Sequence, residues 1–180
     1  MQYMTFLLAA LIFCGSANAA PASPESISLL SRALHERMLL MKDVAAFKKT
    51  HNKPIEDLAR EQDVLTEAKE KSAQAGLDPQ SVTVFFQGLM DASKAIQYRY
   101  LADWLGAPHS VPPVKDLADM RKQINLLDGQ ILLAINQQLS RGGFTKDDVT
   151  RLKQQLHVQH LSENDINQVL QGLEQIKLKS

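Results

Sequence analysis

Apolar residues recur along this chain at intervals of three and four, and no stretch alternates with period two for long. That is the pattern of helices that each bury one stripe. One stripe is Leu30, Leu34, Arg37, Met41, Val44 and Lys48. At ~100° per residue all six lie within roughly 40° of one meridian. The stripe predicts a helix over about Ile27–Lys49, closed off before Pro54 because helix is disfavoured at the residue preceding a proline. A second helix is expected over about Pro54–Ala75, with the proline at its first position and Gly76 as its stop. Asp78-Pro79 reads as an N-cap and first-turn proline for a third helix reaching about Leu105. Gly106-Ala107-Pro108 and Pro112-Pro113 make a rigid loop before a fourth helix over about Lys115–Ser140, which ends at Gly142-Gly143. Thr145–Asp148 and Ser162–Asp165 resemble capping boxes with Asp in place of Glu, opening two shorter helices. The expectation is a single all-α domain of about six helices over residues 20–180.

The first residues carry a different pattern. Thr5–Phe13, TFLLAALIF, is an apolar run of signal-peptide length followed by Ala17-Asn18-Ala19, an A-x-A cleavage pattern. It is too short to span a bilayer. Residues 1–19 are therefore expected to be a signal peptide, cleaved after Ala19 or Ala20, with export to the periplasm or medium. No Lys or Arg precedes the run, and the bulky Phe13 before Cys14 argues against a lipoprotein cysteine. Cys14 is the sole cysteine, so cleavage would leave a chain without a thiol, a disulfide or a Cys-ligated metal.

Charge changes the picture inside the helices. Twenty Lys and Arg balance twenty Asp and Glu, which speaks against nucleic acid or a membrane surface as partner of the mature chain. Yet charges interrupt the apolar stripes. Arg37 and Lys48 lie in the first. The third helix has Val82, Phe86, Leu89, Ser93, Ile96 and Tyr100, with Gln97 about 60° from its start. The fourth has Leu117, Arg121, Ile124, Asp128, Ile131 and Ile135. On the second, Asp57, Arg60 and Glu61 share a side with Val64, and periodicity does not say whether that side faces inward. A charge buried without partners is costly. Asp57, Glu61 and Asp128 supply only part of what the cations need. The surplus points to a pocket between helices made for a small dianion. The bland alternative is that the aliphatic stems lie on apolar surface while the charged heads reach water.

The same residues carry a resemblance. Arg37 and Lys48 eleven apart, KPIEDLARE (Lys53–Glu61) and Ser93-Lys-Ala-Ile-Gln97 look like the all-helical chorismate mutases. VAAFK (Val44–Lys48), PIED (Pro54–Asp57) and the Asp78-Pro79 entry look most like their secreted subclass. MRKQINLLDGQILLAI (Met120–Ile135) resembles the opening helix of intracellular members, so Arg121 would be an arginine that those members lend to a partner subunit, here supplied in the same chain. The resemblance implies a homodimeric isomerase that converts chorismate to prephenate without a cofactor or metal. It implies that Arg37 and Arg121 hold the two carboxylates, with Ser93 as a hydroxyl donor. Lys48 and the Gln97 amide would meet the ether oxygen, and Glu61 would accept from the ring hydroxyl. Asp57 and Arg60 would form an ion pair bordering the pocket. Some secreted relatives have Thr and a carboxylic acid where this chain has Ser93 and Gln97. An amide donates at any pH, so activity should not demand acid. The alternative from another class is a non-catalytic exported module that captures a small dianion or a peptide.

The remaining features read as structure. His157-x-x-His160 has metal-ligand spacing but no third ligand nearby and is expected on the surface. Trp104, Tyr98 and Tyr100 should lie in the core or an interface. Met38, Met41 and Met90 should fill core gaps, and residues 144–180 should brace the pocket by packing.

Overall fold

The structure is a computed structural model that describes residues 25–180; the signal-peptide expectation lies outside them. Six α-helices follow in order: α1 (Glu25–Thr50), α2 (Leu58–Gln74), α3 (Thr83–Gly106), α4 (Leu117–Ser140), α5 (Lys146–Gln155) and α6 (Glu163–Leu173). A 3-10 turn, Pro108–Ser110, sits in the expected proline loop. The all-α expectation is borne out, and none of these helices is long and apolar enough to cross a membrane.

Side-chain contacts give the packing. Ser26 meets Gln138 and Arg37 meets Asp128, so α4 runs antiparallel along α1. Arg37 meets Ser93 and Met41 meets Gln97, so α3 runs parallel to α1. On the far face of α3, α6 approaches so closely that a Cβ on Gly172 would stand 2.6 Å from the Phe85 Cα. Leu30, Leu34, Phe86, Leu89, Ile96, Ile131 and Ile135, taken from three of the expected stripes, are fully buried at 0% exposure.

The ends of the helices have local causes. Asn52 adopts φ 50° just past α1, and Lys53 N–H bonds back to the Lys48 carbonyl at 2.8 Å. That is the six-to-one bond of a Schellman close, with Asn in the left-handed position. Gly76 closes α2 in the same way, at φ 77° with Leu77 N–H on the Ser72 carbonyl. Thr145–Asp148 and Ser162–Asp165 form complete capping boxes, as expected.

Two starts differ from expectation. α2 begins at Leu58, not Pro54, and its N-cap is Asp57, which accepts from the Arg60 backbone N–H at 3.1 Å. Residues 53–57 form a strap instead, pinned by the burial of Ile55. α3 begins at Thr83, because Asp78 caps a turn by accepting from Gln80 N–H rather than starting a helix. The C-terminal residues capture that turn: Asp78 N–H bonds to the Lys177 carbonyl and Lys179 N–H to the Gly76 carbonyl. This pairing satisfies the Asp78 N–H and the Gly76 carbonyl outside the helix.

Candidate active site

The strap folds back over the C-terminal end of α1. Lys48, 8% exposed, donates from Nζ to the Ile55 carbonyl at 2.7 Å. Among the described residues it has no carboxylate within ion-pair distance. Burial pushes its pKa below the usual lysine value; Asp57 partly offsets this and Arg121 adds to it. The strap is also latched to α3, where the Tyr98 hydroxyl donates to the Glu56 carboxylate. Tyr98 is thus an exposed latch, whereas Tyr100 and Trp104 are buried as expected, and stacked on each other.

Three turns back on α1, Arg37 is 3% exposed. Its Nε donates to Asp128 Oδ1 at 2.7 Å and its Nη1 to Ser93 Oγ at 2.8 Å. The second terminal nitrogen of the fork takes part in neither bond. Ser93 Oγ accepts this bond and donates its own proton to the Leu89 carbonyl at 2.6 Å. The serine expected to give a proton to a ligand therefore spends it on its own helix and braces Arg37.

The ambiguous side of α2 faces inward. Val64 is buried beside Glu61, and Arg60 is partly covered. The expected Asp57–Arg60 ion pair does not form. Asp57 takes Arg121 instead, Nη2 to Oδ2 at 3.3 Å, while Arg60 reaches Glu67 at 3.1 Å. The cause is local, because the Asp57 carboxylate is tied to the Arg60 backbone as the cap of α2. Arg121 also sits less deeply than its stripe suggested. With Leu117 and Ile124 it forms a half-open lip, and along that stripe full burial begins at Asp128.

From α3, Gln97 is 4% exposed and donates from Nε2 to the Ser93 carbonyl at 3.1 Å. Its Oε1 is buried without a partner, and so is Glu61 Oε1. Buried polar atoms are nearly always paired, so the orphaned Glu61 oxygen marks where a ligand's donor would sit, and Gln97 is left as an amide not fully engaged by the protein. All eight expected residues, Arg37, Lys48, Asp57, Arg60, Glu61, Ser93, Gln97 and Arg121, line a single cleft. It holds about 640 Å³ of empty space, part of it open to solvent. Met41, Val44, Ile55, Val64 and Met90 supply its apolar wall, so two of the expected core methionines face the cleft.

Sequence reasoning missed two members. The Ile55 carbonyl carries no side-chain signal. Lys94 lines the cleft and pairs with Glu61 at 3.0 Å; its position three residues before Gln97 could have revealed it. The His157–His160 spacing leads elsewhere: His160 Nε2 bonds to Asp103 at 2.7 Å and its ring stands edge-on to Tyr100.

Such a cleft can hold a small anion against fixed cations. Residues 28–98 match the family described as chorismate mutase type II. The chain is 46% identical over 176 residues to the monofunctional chorismate mutase of Enterobacter agglomerans, covering 98% of this chain and 97% of that one. It is 33% identical to the secreted chorismate mutase of Yersinia pestis, over 81% of this chain and 79% of the relative. The crystal structure of that Yersinia protein superimposes with a TM-score of 0.78 at 31% identity, covering 83% of this chain and 97% of that one.

Proposed function

The chain belongs to the chorismate mutase type II family, and from that premise we propose that its cleft converts chorismate to prephenate. One observation carries the reading: the four helices and the strap bring five cations, a buried amide and two unpaired acceptor oxygens around one small cleft. Chorismate carries two carboxylates and a ring hydroxyl, and it rearranges only when its enolpyruvyl arm folds over the ring. Arg37 and Arg121 clamp the carboxylates and select that compact conformer. Asp128 and Ser93 aim Arg37 from behind. Arg121 leaves Asp57 to engage the substrate.

As the C–O bond breaks, negative charge grows on the ether oxygen. Lys48 meets it as a fixed cation in a largely dry site. The strap carbonyl that holds Lys48 in the empty cleft keeps it aimed and ready. Gln97 swings its amide from the Ser93 carbonyl to donate to the same oxygen. Glu61 Oε1 accepts from the ring hydroxyl, and Arg60, steadied by Glu67, closes that side. No proton is transferred, so no residue need serve as a general base, and the reaction calls on no cofactor or metal. The same reading takes residues 1–19 as a signal peptide, the mature chain as a periplasmic or secreted single domain, and its assembly as a homodimer.

The test is loss of chorismate's ultraviolet absorbance on incubation with the mature protein. Wild type should consume chorismate, and Lys48→Ala should lower kcat by roughly 10²–10³. A wild-type protein that binds chorismate without consuming it would overturn the reading.

A further inference from the structure

Glu61 is half satisfied. Its Oε2 accepts from Lys94 Nζ at 3.0 Å, while its Oε1 is buried with no donor. The two oxygens of a carboxylate are rigidly joined, so holding one fixes the direction of the other. Lys94 is itself held: Asp91, one turn back on α3, pairs with it at 3.2 Å and accepts from Gln87 Nε2 at 3.2 Å. Gln87, Asp91 and Lys94 step four and three along α3, one face of the helix. The row leads from a half-buried glutamine through an exposed aspartate to a lysine and a glutamate whose side chains are 22% and 18% exposed. Neither Asp91 nor Gln87 lines the cleft.

We propose that Lys94 is a positioning residue that sets substrate selectivity through Glu61, holding its free oxygen ready for a ring hydroxyl. This rests on the chorismate reading above. An ionised carboxylate accepts and cannot donate. A ligand that brings a hydroxyl to this point completes the pair. A ligand with an ether or a hydrogen there leaves Oε1 buried and unpaired, which is the arrangement that lets a site reject close analogues. Lys94 thus contributes selectivity without touching the substrate.

The experiment compares wild type, Lys94→Met and Lys94→Arg on chorismate and on its ring-hydroxyl methyl ether. Lys94→Met should raise KM for chorismate about tenfold, the loss of one well-aimed charged hydrogen bond, with kcat within about twofold. Lys94→Arg should restore most of it. On the methyl ether the same substitution should change KM less than about twofold, and in a Glu61→Gln background it should add nothing on chorismate. An equal penalty on both ligands, or a penalty that persists beside Glu61→Gln, would mean that Lys94 touches the ligand directly and would overturn the proposal. So would an unchanged KM. Calorimetry with chorismate separates the two ideas. If wild type binds chorismate without turning it over, the catalytic reading fails, and the affinities of the same variants still decide the role of Lys94. If it does not bind, both fall.

Discussion

Two buried glutamines separate the cleft from the opposite end of the molecule. Gln138, near the end of α4, is 5% exposed and fully engaged. Its Oε1 accepts from Ser26 at 2.7 Å, and its Nε2 donates to the Gly143 carbonyl at 2.7 Å and to Asp148 at 3.4 Å. Gln97 is as deeply buried but keeps an oxygen without a donor. The charged groups divide the same way. Asp148 and Asp165 are buried helix caps whose remaining bonds also go to protein groups, Asp148 to Gln138 and Asp165 to Arg99. Arg37, Lys48 and one oxygen of Glu61 are buried beside an open space. Polar burial alone does not mark a functional site, nor does a missing partner, since His35 Nδ1 and Thr83 Oγ1 lack one away from the cleft; what singles out Glu61 and Gln97 is incomplete pairing beside an open space. The region around Gln138 is built to hold its shape, and the cleft is built to be finished by a ligand.

Breaking the cleft's own buried pair should have the largest effect. Asp128→Ala strands the Arg37 guanidinium in the core and should cost about 3–5 kcal/mol of stability, read by urea unfolding. Activity per folded molecule should fall as well, since Arg37 loses its aim. If activity per folded molecule is unchanged, Arg37 does not act from that position. On the other side of the comparison, Gly172→Ala drives a methyl against the Phe85 backbone. It should cost about 1–3 kcal/mol by overpacking and leave the kcat of the folded fraction intact. A drop in that kcat would show that α6 shapes the cleft through α3 rather than bracing it. The mildest change is Gln97→Glu, which should shift the pH optimum downward without unfolding the protein. A carboxyl there donates only while protonated, so kcat should fall as pH rises through its titration. Wild type should hold its rate until Lys48 loses its proton, at a pH below the ordinary lysine value because burial depresses its pKa. A flat profile for Gln97→Glu would remove the amide from the mechanism.

What was legible in the sequence is what periodicity encodes. The stripes on α1, α3 and most of α4 gave the buried faces. Arg37, Lys48, Ser93 and Asp128 stood out because they lay in those stripes, and the resemblance supplied roles for the first three. What was illegible depends on partners distant in the chain. Asp78-Pro79 fits an N-cap and a turn equally well locally, and the C-terminal residues 177–179 decide for the turn. Pro54 looked like a helix start until burial of Ile55 pulled the strap away. Asp57 and Arg60, three apart, suggested a pair. Capping tied the carboxylate to the backbone, and Arg121 arrived from α4 to take its free oxygen. Lys94 went unseen because a lysine beside a stripe looks solvated until its acidic partner is known.

Arg121 has a consequence outside the cleft. It reaches the site from α4 of the same chain that supplies Arg37 and Lys48. These three cations therefore meet without waiting for a second protomer. However far the molecules are diluted, each should keep its full turnover, and doubling their number should double the rate with no threshold. Pairing of protomers would then lend endurance without adding any part of the chemistry, and a protein of this kind would still work when its copies are too few to meet.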